Sequence, residues 1–93
     1  MVIGTCTISL HIPESRSLKS KRWVLRRIKD RVRSKFNVSI AEVGDFDLWQ
    51  RATLAVAVVS TDRRFADRVI SKVIDLVDSD GNAQVIEIQT DLR

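Results

Sequence analysis

Val2-Ile3-Gly4-Thr5-Cys6-Thr7-Ile8-Ser9-Leu10-His11-Ile12-Pro13, followed by a run from Leu18 to Phe36, is the stretch whose reading decides the fold. Val2, Gly4, Cys6, Ile8, Leu10 and Ile12 recur with period two, while Thr5, Thr7, Ser9 and His11 fill the alternate face. That pattern is a half-buried strand. Pro13 ends it, Ser15 or Ser17 can cap a helix after it, and Leu18, Leu25, Ile28, Val32 and Phe36 then fall on one helical stripe. The period has changed from two to 3.6, which predicts a helix over about 17–35.

The remaining chain repeats the alternation. Asn37 to Val43 reads as a second strand, Gly44-Asp45-Phe46-Asp47 as a turn, and Trp49 to Ser60 as a third strand closing a hairpin. Asp62 caps a second helix with Phe65, Val69, Val73 and Leu76 on its apolar stripe, and Asp80-Gly81 breaks it. Ala83 to Thr90 supplies the last strand, with Ile86 and Ile88 on its apolar side. Right-handed crossovers around a central hairpin predict a four-stranded antiparallel sheet in the order 4-1-3-2 with both helices on one face. This is the ferredoxin-like βαββαβ arrangement of the α+β class. Ninety-three residues give one such domain, 1–93. About 64% of its surface can be buried, which makes a thin core.

Composition excludes several classes. Hydrophobic residues at 44% and charged residues at 30% describe a folded chain rather than a disordered one. No window carries 18 apolar residues and the N-terminus lacks a signal-peptide pattern, so the expected setting is the cytoplasm, with no membrane partner. Cys6 is the only cysteine, and it lies on the apolar face. An intrachain disulfide and a multi-thiolate zinc site are excluded.

The net charge of +4 is unevenly spread. Residues 1–46 hold 10 basic and 4 acidic side chains, net +6, whereas residues 47–93 hold 6 and 8, net −2. All ten basic residues of the first half lie between Arg16 and Lys35, with Asp30 as the only acid among them. A field of one sign over one helix is the footprint of a polyanion partner, or a solvated face.

The helix start sharpens this. Lys19, Lys21 and Arg22 stand where the macrodipole disfavours cations by a few tenths of a kcal/mol each. A phosphate or carboxylate would suit them, but Glu42, Asp45 and Asp47 on the same rim could neutralise them internally. On the outer face, Trp23 is placed among Lys19, Arg26, Arg27 and Asp30, where it could stack a base while the cations hold phosphates. Alternatively it lies over the helix flank, held by Arg27 through a cation-π contact or covered by a partner chain.

Three stretches carry a family resemblance: Ser17-Leu18-Lys19-Ser20-Lys21-Arg22, Phe36-Asn37-Val38-Ser39-Ile40-Ala41-Glu42-Val43, and Asp47-Leu48-Trp49-Gln50-Arg51-Ala52. Together they resemble the small bacterial YlxP-like proteins, a domain-of-unknown-function family of this length. The resemblance implies a ferredoxin-like fold, a bacterial cytosolic setting and genes near those of translation initiation and ribosome maturation. It implies no catalytic residue and no cofactor.

Enzymatic patterns are weak. His11, Glu14 and Ser15 share one strand end with nothing to make an oxyanion hole, and His11 to Arg16 lacks the glycines of an acylphosphatase-type anion loop. Asp78-Ser79-Asp80-Gly81-Asn82 fails as a calcium loop, because Ala83 and Gln89 stand where Gly and Glu are needed. An RRM-type sheet reader is excluded too, since the outer sheet face carries Thr5, Thr7, Ser9, Ala41, Ala55, Ala57 and Val59 in place of aromatics.

The expected function is therefore non-enzymatic RNA or ribosome binding through Lys19, Lys21, Arg22, Trp23, Arg26, Arg27 and Arg51, without metal or cofactor. The alternative is a protein interaction module or homodimer using the open sheet face. A small-anion enzyme on the rim is a third reading.

Overall fold

The computed structural model describes residues 1–93 and places six elements in the expected order. They are β1 (Val2–His11), α1 (Leu18–Lys35), β2 (Ser39–Gly44), β3 (Arg51–Ser60), α2 (Arg63–Asp78) and β4 (Gln84–Leu92). The sheet order is β2-β3-β1-β4, with every pairing antiparallel. The fold is ferredoxin-like.

Local chemistry accounts for the boundaries. Ser17 takes extended backbone and its hydroxyl accepts the Ser20 N–H at 3.0 Å, capping α1. Asp62 does the same for α2 through the Arg64 N–H at 2.9 Å. Beneath the helices, Cys6, Ile8, Leu10, Leu54 and Val56 from the sheet meet Leu25, Ile28 and Val32 of α1 and Ile70, Val73 and Val77 of α2. One glycine is required by close approach. A Cβ on Gly4 would lie 2.8 Å from Ile70 Cδ1 and 3.0 Å from Leu92 Cδ2, so α2 and the end of β4 close over that point.

Three details differ from the sequence reading. β3 starts at Arg51 rather than Trp49, because residues 45–50 are drawn into a structured loop. On α2 the buried line is Ala66, Ile70, Val73 and Val77, while Phe65 is exposed. The small Ala66 faces the sheet, which turns the stripe by one residue. On β4, Ile86 and Ile88 are both exposed, and Val85 and Leu92 are the residues packed on the core. The register on β1 shifts between Ser9 and Leu10, leaving Ile86 without a partner on an edge strand.

The outer sheet face is as expected: Thr5 opposes Ala57, Thr7 opposes Ala55, and Ala41 opposes Ala55 from the other side. No helix is long and apolar enough to cross a membrane.

Candidate nucleic-acid interface

The rim that joins the α1 start to the β2–β3 loop is built around a buried ammonium. Lys21 is 1% exposed. Its Nζ donates to the carbonyl oxygens of Asp45 at 2.9 Å, Phe46 at 3.3 Å and Arg51 at 3.3 Å. An ammonium has three protons, and three carbonyls take them. Glu42 Oε2 sits 3.1 Å from Nζ yet receives no hydrogen bond, so it pairs with the lysine by charge alone.

Lys21 therefore leaves the set of candidate contact residues: it is a fold-holding group with no open face. Internal neutralisation of the rim is real at this one cation, and its partners differ from those expected. Glu42 supplies the charge, and Asp45 supplies its backbone carbonyl. The Asp45 carboxylate turns to accept the Thr53 hydroxyl at 2.8 Å, and its backbone sits at φ 60°. Asp tolerates that left-handed conformation better than most residues. Asp47 forms no ion pair.

The loop is tied at further points. Leu48 N–H donates to the Asp45 carbonyl at 3.1 Å, and Ile12 N–H donates to that of Gln50 at 2.8 Å. The Gln50 side-chain amide donates to the carbonyls of Pro13 and Ser15, both at 3.2 Å. Phe46, Leu48 and Trp49 nonetheless stay exposed, Phe46 at 57% and Trp49 at 55%. Sequence reasoning missed this apolar cluster by assigning Trp49 to the strand.

Arg27 is also committed. Its Nη2 donates to Asp80 Oδ1 at 2.9 Å and Oδ2 at 3.1 Å, and Arg31 Nη1 approaches Oδ2 at 3.8 Å. Asp80 is itself buried and accepts the Asn82 N–H at 2.9 Å. The segment read as a helix-ending turn is thus also the clamp between α1 and the α2–β4 connection. Both arginines lie on the α1 flank that faces α2, one turn apart, which is why a single carboxylate serves them.

What remains open is Trp23 with Lys19, Arg22, Arg26 and Arg51. Trp23 is 69% exposed, and none of these four cations forms an ion pair. Trp23 lines a shallow hollow of about 340 Å³ with Arg26, Arg27, Asp30 and Arg31. Arg22 and Arg26 line a second one of about 270 Å³ with Lys29, beside Glu42. No aromatic ring of α1 is capped by a cation, the one such contact being Arg68 over Phe65 at 5.9 Å. Cys6 is buried, and burial pushes its thiol up from the ordinary 9.0. No group of His, Cys, Asp and Glu side chains gathers as a metal site.

Residues 3–90 match the family described as "Protein of unknown function (DUF503)". Over 78 residues the chain is 42% identical to "Uncharacterized protein YlxP" of Bacillus subtilis (strain 168), covering 84% of this chain and 85% of that protein. Among solved structures, the de novo designed protein Foldit4 superposes with a TM-score of 0.58 at 15% identity, covering 98% of this chain and 97% of the design. A second design, LFR1 1 with ferredoxin fold, gives 0.58 at 15% identity, covering 100% and 86%. At such identity these likenesses speak for the fold alone.

Proposed function

The chain belongs to the DUF503 family of proteins of unknown function, and from that premise we propose that it is a non-enzymatic RNA-binding protein, with the ribosome as one source of its RNA. The contact surface is Trp23 on α1 with Lys19, Arg22 and Arg26, continued by Arg51 at the start of β3. The observation that carries this reading is Trp23. A large indole is left 69% exposed beside Arg26, which forms no ion pair, while Lys21 is caged under the rim and Arg27, on the same hollow, is held by Asp80. Base stacking on the ring with phosphates on the neighbouring arginines uses both parts of the arrangement. The buried cations also explain why a basic helix start is compatible with folding, so the remaining exposed ones call for a partner.

The test replaces Arg22 and Arg26 together by Ala, because neither makes a contact that holds the fold. RNA binding at low salt should weaken, with the urea midpoint unchanged. Each lost phosphate contact on a single strand removes about 0.7 from the slope of log K against log salt, so the slope should fall by about 1.4. Equal affinity for both proteins at low salt would refute the reading.

A second reading rests on the outer sheet face. Thr5, Thr7, Ser39, Ala41, Ala55 and Ala57 line a trough of about 270 Å³ on that face, and Val59 nearby is 66% exposed. Small apolar rows of this kind suit a second sheet. A stable dimer in sedimentation, without RNA affinity, would favour it. The small-anion enzyme loses its main cation with Lys21, whose protons are all taken.

A further inference from the structure

We propose that the β2–β3 loop carries a second stacking site, so that the ligand of this surface is a single strand of RNA laying one base on Trp23 and another on Trp49. This rests on the RNA-binding reading and adds to it the form of the RNA and its second point of attachment.

The two tryptophans are the only ones in the chain, and each lies in a hollow with one carboxylate and at least one arginine. Trp23 lines its hollow with one carboxylate, Asp30, with the unpaired Arg26, and with Arg27 and Arg31, which Asp80 holds. Trp49 lines a shallow hollow of about 410 Å³ with Arg51 and one carboxylate, Asp47. A carboxylate beside each ring repels phosphate and can accept from a base amino group, which leaves the ring face to the base. The arginine takes the backbone.

The β2–β3 loop and the start of α1 are joined at Ser15, a buried residue. Gln50, next to Trp49, donates to the Ser15 carbonyl, and Ser15 lines a third hollow of about 310 Å³ whose wall includes Ser20 and Trp23.

The loop is also stiff in a way a simple hairpin connection does not need. The caged ammonium of Lys21 holds the carbonyls of Asp45 and Phe46 on one side of Trp49 and that of Arg51 on the other, and Gln50 is bonded through both its backbone and its side chain. Binding on Trp49 therefore costs little further ordering of the backbone. Such preorganisation suits a stacking platform. Duplex RNA does not fit this arrangement, because its bases are already stacked on one another and are not free to lie on two separate rings.

Each tryptophan reports on its own site once the other is removed. Trp23→Phe leaves Trp49 as the sole indole and Trp49→Phe leaves Trp23, and both are titrated with a uridine oligomer of about eight nucleotides, within the roughly 4–16 of single-strand sites. Both emissions should quench with one midpoint. Trp49→Ala should weaken binding by about 5- to 150-fold, the equivalent of one lost stack. The same oligomer annealed to its complement should bind more weakly.

Quenching of Trp23 with no change at Trp49 overturns the second site while RNA binding stands. Quenching of neither overturns the RNA reading itself. A duplex that binds as tightly as the single strand overturns the assignment of a single strand, and a deoxy strand that binds equally overturns the assignment to RNA. A change in Trp49 emission that tracks protein concentration in the absence of RNA makes the loop a contact between copies of the chain, and overturns the proposal.

Discussion

Replacing Lys21 by Met should be among the most damaging single changes in this protein. The substitution keeps most of the side-chain volume but removes the charge and all three donors. Three carbonyl oxygens, of Asp45, Phe46 and Arg51, and the buried Oε2 of Glu42 would then lose their partner. Removing one member of a buried ion pair costs about 3–5 kcal/mol, and a 93-residue domain has only about 5–14 kcal/mol in total. With a urea slope of about 1.5 kcal/mol/M, the midpoint should fall by roughly 2–3 M. Urea titration followed by far-UV dichroism measures this directly. The companion is Lys21→Met with Glu42→Gln, which removes the stranded charge as well. It should recover part of the loss, with a coupling of about 0.5–3 kcal/mol. A Lys21→Met protein within about 1 kcal/mol of the parent would refute the cage, since the ammonium would then be reaching water in the native protein.

Other outcomes rest on packing and charge. Gly4→Ala places a methyl against Ile70, Leu92 and Val58 and should cost about 1–3 kcal/mol in the same titration; a neutral result would mean that α2 shifts freely over β1. Asp80→Ala frees Arg27 and Arg31 and should destabilise by about 2 kcal/mol while steepening the salt dependence of RNA binding; unchanged stability would remove the clamp. Native Cys6 should resist thiol reagents until the chain unfolds, so immediate labelling of the folded protein would contradict its burial. Because burial raises the folded thiol above its ordinary 9.0, its contribution to stability is complete below that pH and declines as pH rises through the folded value. The cysteine-to-alanine protein should show a smaller alkaline loss.

The βαββαβ order was legible because the change of period at Pro13 and again after Phe36 is local, and helix and strand periodicity need no tertiary knowledge. Lys21 was legible only as an anomaly, a cation set against its own helix dipole. Its resolution depends on carbonyls 24 to 30 residues away, in a loop whose path periodicity does not encode. Trp49 was misassigned for the same reason: alternation continued into Arg51, and nothing local showed that Lys21 draws the preceding residues out of the sheet. Asp80 read as a turn residue because its turn is local, whereas the arginines it serves lie about fifty positions earlier. The exposed face of α1 was better foreseen. Helical angle alone put Trp23 outward, and the structure leaves it there.

The charge pairs of α1 also bear on how the protein assembles. Lys21 finds its acid on β2 and Arg27 and Arg31 find theirs beyond α2; no ion pair forms within the helix. As an isolated peptide, residues 18–35 would carry like charges four apart at 22 and 26, 27 and 31, 29 and 33, and 31 and 35, each opposing helix formation by a few tenths of a kcal/mol, against one favourable pair at 26 and 30. In the fold, β2 and the segment after α2 supply acids that three of these cations use. A basic surface made this way depends on distant parts of the chain: a change that loosens β2 or the segment after α2 also releases cations of α1 and so alters the charge that a partner would meet.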